Sequence, residues 1–304
     1  MTRKKDPPIS RQNRREARAA WVMLTPWLLG FIGITAIPMI ASLVISFTDY
    51  PLVAAPTWVG LENYRELFQD PKFFTSVGVT VRYVFISVPL QLAFALGLAL
   101  VLNRGLSGMG LYRSAFYLPS LLGSSVAIAI LWRQVFGADG IFNDLVGLFG
   151  VPQISWIGNP EWALSTLIVL NVWTFGSPMV IFLAGLRQIP REYYEAAAVD
   201  GAGRIRQFFR ITLPLLTPVV FFNVVLQFIH AFQAFTPSYI VSGGTGGPVD
   251  STLFYTLYLY QRGFVQFEMG YASAMAWVLL LGIGIFTAAN FIGSRYWVFY
   301  GDEK

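Results

Sequence analysis

Long stretches without a charge alternate with short polar ones along this chain. Apolar runs near or above the roughly 20 residues needed to cross the hydrocarbon core of a bilayer occupy 22–47, 76–102, 115–136, 162–186, 215–236 and 271–293. They predict six transmembrane helices. Strands fit poorly, because a membrane barrel shows short segments of alternating polarity, whereas a run such as VPLQLAFALGLALVL is continuously apolar. The expected fold class is therefore an all-α integral membrane protein, a six-helix bundle. Its parts are a tail over 1–21, a membrane domain over 22–293 and a second tail over 294–304. The first run is too long for the 7–15-residue apolar region of a signal peptide and no small-residue cleavage site follows it, so it reads as a retained span.

Composition supports this reading. Hydrophobic residues make up 55% of the 304 residues and charged residues 12%, against about 25% charged in soluble domains, and the mean hydropathy is +0.58. There is no cysteine, which excludes disulfides and thiolate metal sites. The net charge is +5, but its distribution says more. The N-terminal tail holds seven Lys and Arg, the 103–114 loop two, the 187–214 loop five and the stretch after 293 two. Loops 48–75, 137–161 and 237–270 hold two, none and one. By the positive-inside rule both termini and the 187–214 segment are cytoplasmic, and the three poor loops face outward. The basic tail beside the first span reads as a topology and lipid-surface signal, with no nucleic-acid partner expected.

Two outward loops have character of their own. In TWVGLENYRELFQD (57–70), Leu61, Tyr64, Leu67 and Phe68 fall at helical spacing and predict a short helix along the outer surface. The glycine-rich VSGGTGGPVDST (241–252) lacks the GK[ST] ending of a phosphate-cradling loop, and no such loop occurs elsewhere, so the chain is not expected to hydrolyse nucleotide.

The passage REYYEAAAVDGAGRIRQFFRITLPLLTP (191–218) is unusual, since it holds four arginines and three acids between apolar runs. Pro190 suits a first helical position, the residues from Arg191 to Val199 are mostly good helix formers, and Gly201 with Gly203 supplies a stop. A second short helix follows, with Ile205, Phe208, Phe209 and Thr212 on one face, ended by Pro214 where the fifth span begins. Glu195, Ala196, Ala197, Gly201, Ile211, Leu213 and Pro214 match E-A-A-x3-G-x9-I-x-L-P without a gap. Seven fixed positions match by chance at on the order of one in 10^8 starting points.

This spacing resembles the cytoplasmic loop of the inner-membrane permeases of bacterial ATP-binding-cassette (ABC) importers, which are fed by an external solute-binding protein. The stretches 111–146 and 238–276 and the WVGLENYRELF loop are similar to the carbohydrate branch of that family, with its maltose and glycerol-phosphate permeases. The resemblance implies that 187–214 is a coupling loop docked in a cleft of an ATPase subunit through Glu195, Ala196, Ala197, Asp200, Gly201, Ile211, Leu213 and Pro214. It implies further partners: two ATPase subunits that carry ATP and Mg, a second homologous permease, the binding protein and a sugar. No cofactor is expected on this chain, and the expected location is the bacterial inner membrane. An anionic solute, such as a glycerol phosphate or sulfonated sugar, stands as the alternative cargo.

Polar side chains inside spans are the candidates for a solute path. In the fifth span Asn223, Gln227 and His230 lie at i, i+4 and i+7, with Gln233 close by; in the fourth, Asn171, Trp173, Thr174 and Ser177 precede Pro178. The competing reading is hydrogen bonding between helices. His230 is the sole histidine, which excludes a histidine metal cluster. Arg82 and Arg133 sit near span ends, where long side chains snorkel; Arg82 could also recognise an anion. An ion-coupled secondary transporter would need intramembrane carboxylates, and the span interiors have none. A membrane-embedded enzyme is disfavoured because HExxH is absent and isolated serines such as Ser124 lack a base.

Overall fold

The computed structural model describes residues 11–103, 109–123, 125–150 and 152–299. Residues 1–10 of the basic tail, 300–304 of the C-terminal tail and Ser124 lie outside the described residues. The chain enters through α1 (Arg11–Gly30), passes a π turn over Phe31–Ala36 and continues as α2 (Ile37–Ile45). Ala19–Ile45 is long and apolar enough to cross a membrane, and none of its apolar window is buried against the rest of the chain. Two short strands, β1 (Thr48–Asp49) and β2 (Thr57–Trp58), then pair antiparallel with Thr48 opposite Trp58.

α3 (Glu62–Leu67) forms where the loop helix was expected, but with a different inward face. Leu67 is buried and the Tyr64 hydroxyl shares a 2.8 Å hydrogen bond with Ser46, whereas Leu61 and Phe68 are 68% and 58% exposed. Asn63 sets the rotation. Its buried amide donates to the carbonyls of Ser46 and Thr48, both at 2.9 Å, and leaving two buried carbonyls unpaired would cost more than exposing one leucine.

α4 (Pro71–Leu102) is the central helix and packs on α8 (Ala163–Trp173), α9 (Gly176–Gln188) and α12 (Leu213–Phe232). Asp70 caps it by accepting from the Lys72 backbone N–H at 2.9 Å. Among its buried positions, Ser76, Thr80, Tyr83, Ser87, Gln91, Ala95, Ala99 and Leu102 recur at three or four residues and trace one stripe, flanked by Phe73, Val79, Val84, Val88 and Leu92. Five of the eight are small. In hydrocarbon, helices are held by close packing and interhelical hydrogen bonds, and small residues let α8, α9 and α12 approach. The opposite face, with Phe85, Ile86, Leu90 and Phe94, is exposed and suits lipid.

α5 (Met109–Leu122) and α6 (Val126–Val135) diverge by 94°, so the run expected as one span over 115–136 is broken. α6 turns aside to pack on α13 (Thr236–Val241). α7 (Ile141–Gly147) leads to α8 and α9, which bend by 42° at Thr174–Phe175. Pro178 explains the break. It has no N–H to give to the Thr174 carbonyl four residues back, and that carbonyl is answered from other helices by Gln91 Nε2 at 3.2 Å and Ser120 Oγ at 2.8 Å.

After α10 (Arg191–Val199) and α11 (Arg204–Gln207), a π turn over Phe208–Thr212 runs into α12, and Arg204–Val241 also passes as one membrane-length helical stretch. Pro214 therefore does not end the second short helix, as the sequence suggested. The wide turn absorbs it: the Leu213 N–H reaches the Phe208 carbonyl, five residues back, so the register shifts before the missing donor of Pro214 matters. α14 (Tyr255–Tyr260) and α15 (Met269–Ser294) complete the bundle. Among the described residues, four helices are long and apolar enough to cross a membrane, and the total is six if each bent pair is one span.

Candidate functional site

Bundle geometry brings polar side chains from three helices to one cavity of about 520 Å³, within the roughly 300–1,000 Å³ range of small-molecule sites. Asn171, Thr174 and Ser177 reach it from the α8–α9 break, and Gln227, His230 and Gln233 from the end of α12. Pro178 also lines it. Of the eight path candidates, Trp173 and Asn223 lie outside. The Trp173 ring faces Trp132 with centroids 6.1 Å apart. Asn223, one turn before Gln227, is fully buried, and its amide makes no hydrogen bond among the described residues. Arg82 and Arg133 are exposed and do not line the cavity.

The helix break is what opens these groups toward the cavity. Gln91 Nε2 donates to the Thr174 hydroxyl at 2.9 Å, and the Asn171 amide donates to Gln91 Oε1 at 3.4 Å. Ser120 Oγ accepts from the Ser177 N–H at 2.8 Å while donating to the Thr174 carbonyl. Irregular backbone at membrane depth persists only where its groups are satisfied in this way. Gly176 permits the crossing of α5, because an added Cβ would lie 2.5 Å from the Phe116 carbonyl oxygen.

Helix-to-helix bonding therefore accounts for part of Asn171 and Thr174. It does not account for Gln227, His230 and Gln233, whose side chains make no hydrogen bond among the described residues. Sequence reasoning missed Gln91, Ser120 and the aromatic wall of Tyr83, Tyr117 and Phe235. Gln91 had a signal: it is the one amide inside VPLQLAFALGLALVL.

At the arginine-bearing end of the bundle, α10 ends in a Schellman motif. Asp200 is the C-cap, Gly201 follows with φ +74°, its N–H reaches Ala198 O at 3.0 Å, and the Ala202 N–H reaches Ala197 O at 2.9 Å. A Cβ at Gly201 would meet nothing within 4 Å, so glycine is needed for its backbone and not for space. No residue of α10 is buried, and Glu195, Ala196 and Asp200 are exposed, with Ala197 half-buried. Val199 and Ile205 are 89% and 78% exposed. The segment is tied to the bundle by Tyr194, which shares a 2.9 Å hydrogen bond with Thr212, and by Gln207, which donates to Ala202 O at 3.0 Å. Ile211, in the π turn, and Leu213 and Pro214, at the start of α12, are half-buried.

The opposite end holds a polar network that no sequence pattern announces. Arg262 is flanked by Glu66 and Glu268, each with an ion-pair distance of 2.7 Å, and its guanidinium carbon sits 3.9 Å from the Tyr271 ring centre. Asp70 accepts from the hydroxyls of Tyr258 and Tyr271, the latter at 2.7 Å. Burial alone would raise the Asp70 carboxyl, but these hydroxyls and the backbone N–H groups of Lys72 and Phe73 hold it below its usual value. Burial raises Glu268 above its usual value, against the pull of Arg262. Together these groups fasten α3 and the start of α4 to α14 and α15.

A family model described as binding-protein-dependent transport system inner membrane component matches residues 72–296. The probable ABC transporter permease protein YesP of Bacillus subtilis (strain 168) is 54% identical over 297 residues, covering 97% of this chain and 96% of its own. The lactose transport system permease protein LacF of Rhizobium radiobacter is 32% identical over 282 residues, covering 90% and 93%. A crystal structure of a bacterial alginate ABC transporter, in complex with an alginate pentasaccharide-bound periplasmic protein, superposes with a TM-score of 0.80 at 21% identity, covering 94% of this chain and 96% of its own. That likeness establishes a shared fold. The chain belongs to the family of binding-protein-dependent transport system inner membrane components, the permeases of ABC transporters.

Proposed function

We propose that this chain is the permease subunit of an ATP-driven sugar importer and that the cavity beside the α8–α9 break is part of its solute path. The carrying observation is that one cavity gathers amides, hydroxyls and an imidazole together with the aromatic rings of Tyr83, Tyr117 and Phe235. Hydroxyl partners beside flat apolar faces are what a sugar requires. Among the described residues no Lys or Arg lines the cavity, which favours a neutral sugar over an anionic solute. Relatives support the class, LacF being named for lactose transport.

In this reading the arginine-bearing end faces the cytoplasm, with both termini. The exposed α10 and the turn at Gly201 dock on an ATPase subunit, with Glu195 and Asp200 as its charged contacts. A second permease, two ATPase subunits carrying ATP and Mg, and an external binding protein complete the assembly. ATP and the loaded binding protein favour different states of the membrane domain, and that difference in affinity drives alternating access. Uptake of a panel of labelled neutral and anionic sugars by the assembled complex tests the cargo. Uptake confined to anionic sugars would contradict the neutral-sugar reading.

A further inference from the structure

We propose that Phe264, Tyr260, Tyr239 and Phe235 form a stacking track that leads a sugar from the protein surface into the cavity, a role that rests on the sugar reading above. Phe235 lines the cavity. Its ring centroid is 5.3 Å from those of both Tyr239 and Tyr260, and the latter two are 5.4 Å apart. Tyr260 stacks on Phe264 at 5.4 Å with an interplanar angle of 23°. Phe235, Tyr239 and Tyr260 are half-buried, and Phe264 is 56% exposed. The row therefore starts in the cavity and ends at the surface.

Side-chain hydrogen bonds tie the supporting backbone. Gln261 Nε2 donates to the Gly244 carbonyl at 2.7 Å, and Gly244, at φ +81°, leaves 3.2 Å between an added Cβ and the Tyr239 ring. The Thr256 hydroxyl donates to the Ala234 carbonyl, joining α14 to the cavity rim. A π turn over Gln261–Val265 follows Tyr260 directly and carries Phe264. A sugar ring presents C–H bonds on its flat faces, and these pack on the electron-rich face of an aromatic ring. Neighbouring rings lie about one sugar ring apart, so a sugar reaches the next face before it leaves the last. The glycine-rich loop thus has a use without phosphate: it holds Tyr239 in the row.

The test uses the complete complex, with its ATPase subunits, partner permease and binding protein, in proteoliposomes. The probes are tritiated lactose, maltose and arabinotriose. For Tyr260→Leu and Phe264→Leu, kcat/KM for uptake of the imported sugar is expected to fall about fivefold, as befits one lost ring-face contact. Sugar delivered per ATP hydrolysed falls with it, and Tyr260→Phe restores both. If Tyr260→Leu does not assemble, the exposed Phe264→Leu decides. Wild-type uptake with undiminished uptake in the leucine variants would overturn the track, leave the sugar reading standing and assign the rings to an interfacial belt. Import of none of the three sugars by the wild-type complex would overturn the sugar reading and the track with it.

Discussion

Gln91 and Thr174, 83 positions apart, are joined by a side chain that donates to both the hydroxyl, at 2.9 Å, and the carbonyl, at 3.2 Å, of its partner. That carbonyl is the one orphaned by Pro178. Gln91→Leu is expected to leave the break supported by Ser120 alone and to cost about 1–3 kcal/mol of folding free energy. A detergent-unfolding titration of the purified chain would register this as a lower midpoint; an unchanged midpoint would mean that the break holds without Gln91.

Gly201 adopts φ +74° in open space. Gly201→Ala should therefore cost about 1–2 kcal/mol, the penalty for a Cβ in the left-handed region, and Gly201→Asn less. Hydrogen exchange of the α10 amides would rank them as wild type, Asn, Ala in falling protection.

Glu195 is exposed on α10 and makes no ion pair among the described residues. If it meets an ATPase subunit, Glu195→Lys should insert normally yet weaken co-purification of that subunit by roughly tenfold or more, the loss of a charge-assisted contact. Equal co-purification would remove Glu195 from the dock.

The amount legible in the sequence differed from region to region, for physical reasons. Long apolar runs announce membrane helices because the bilayer demands about 20 residues of continuous apolarity, and these runs led to the helical membrane fold. Their breaks were harder to see. The 94° turn between α5 and α6 falls within LPSLLGSSV, where Gly123 and the N-cap Ser125 mark a helix boundary but not the direction the chain takes after it. Pro178 did signal a break, but its partners Gln91 and Ser120 come from distant helices that only tertiary packing brings near. Helical spacing grouped Gln227 with His230 at the cavity, yet the same spacing included Asn223, which sits one turn too deep. The Asp70–Arg262 network left no periodic trace, because its members are single polar residues at element ends.

That network makes a prediction about acid. Asp70 has its pKa held below the ordinary 3.8, so its contribution is present above that value and is lost as pH falls through the depressed one. Glu268 has its pKa raised above the ordinary 4.5, so its contribution is complete below 4.5 and fades as pH rises through the raised value. Thermal stability of the purified complex should therefore rise slightly as pH falls toward about 4.5, where Glu268 takes up its proton, and drop below about 3.8 as Asp70 loses its charge. Asp70→Asn should flatten the acid limb; a limb of unchanged depth would place its origin elsewhere.

Dependence on a partner's ATP hydrolysis is the central claim, and sugar uptake by the reconstituted complex with its ATPase subunits disabled tests it most directly. Uptake should stop although the permease, binding protein and sugar are all present. Continued gradient-driven uptake, above all by this chain alone, would contradict the importer reading and point to a secondary transporter.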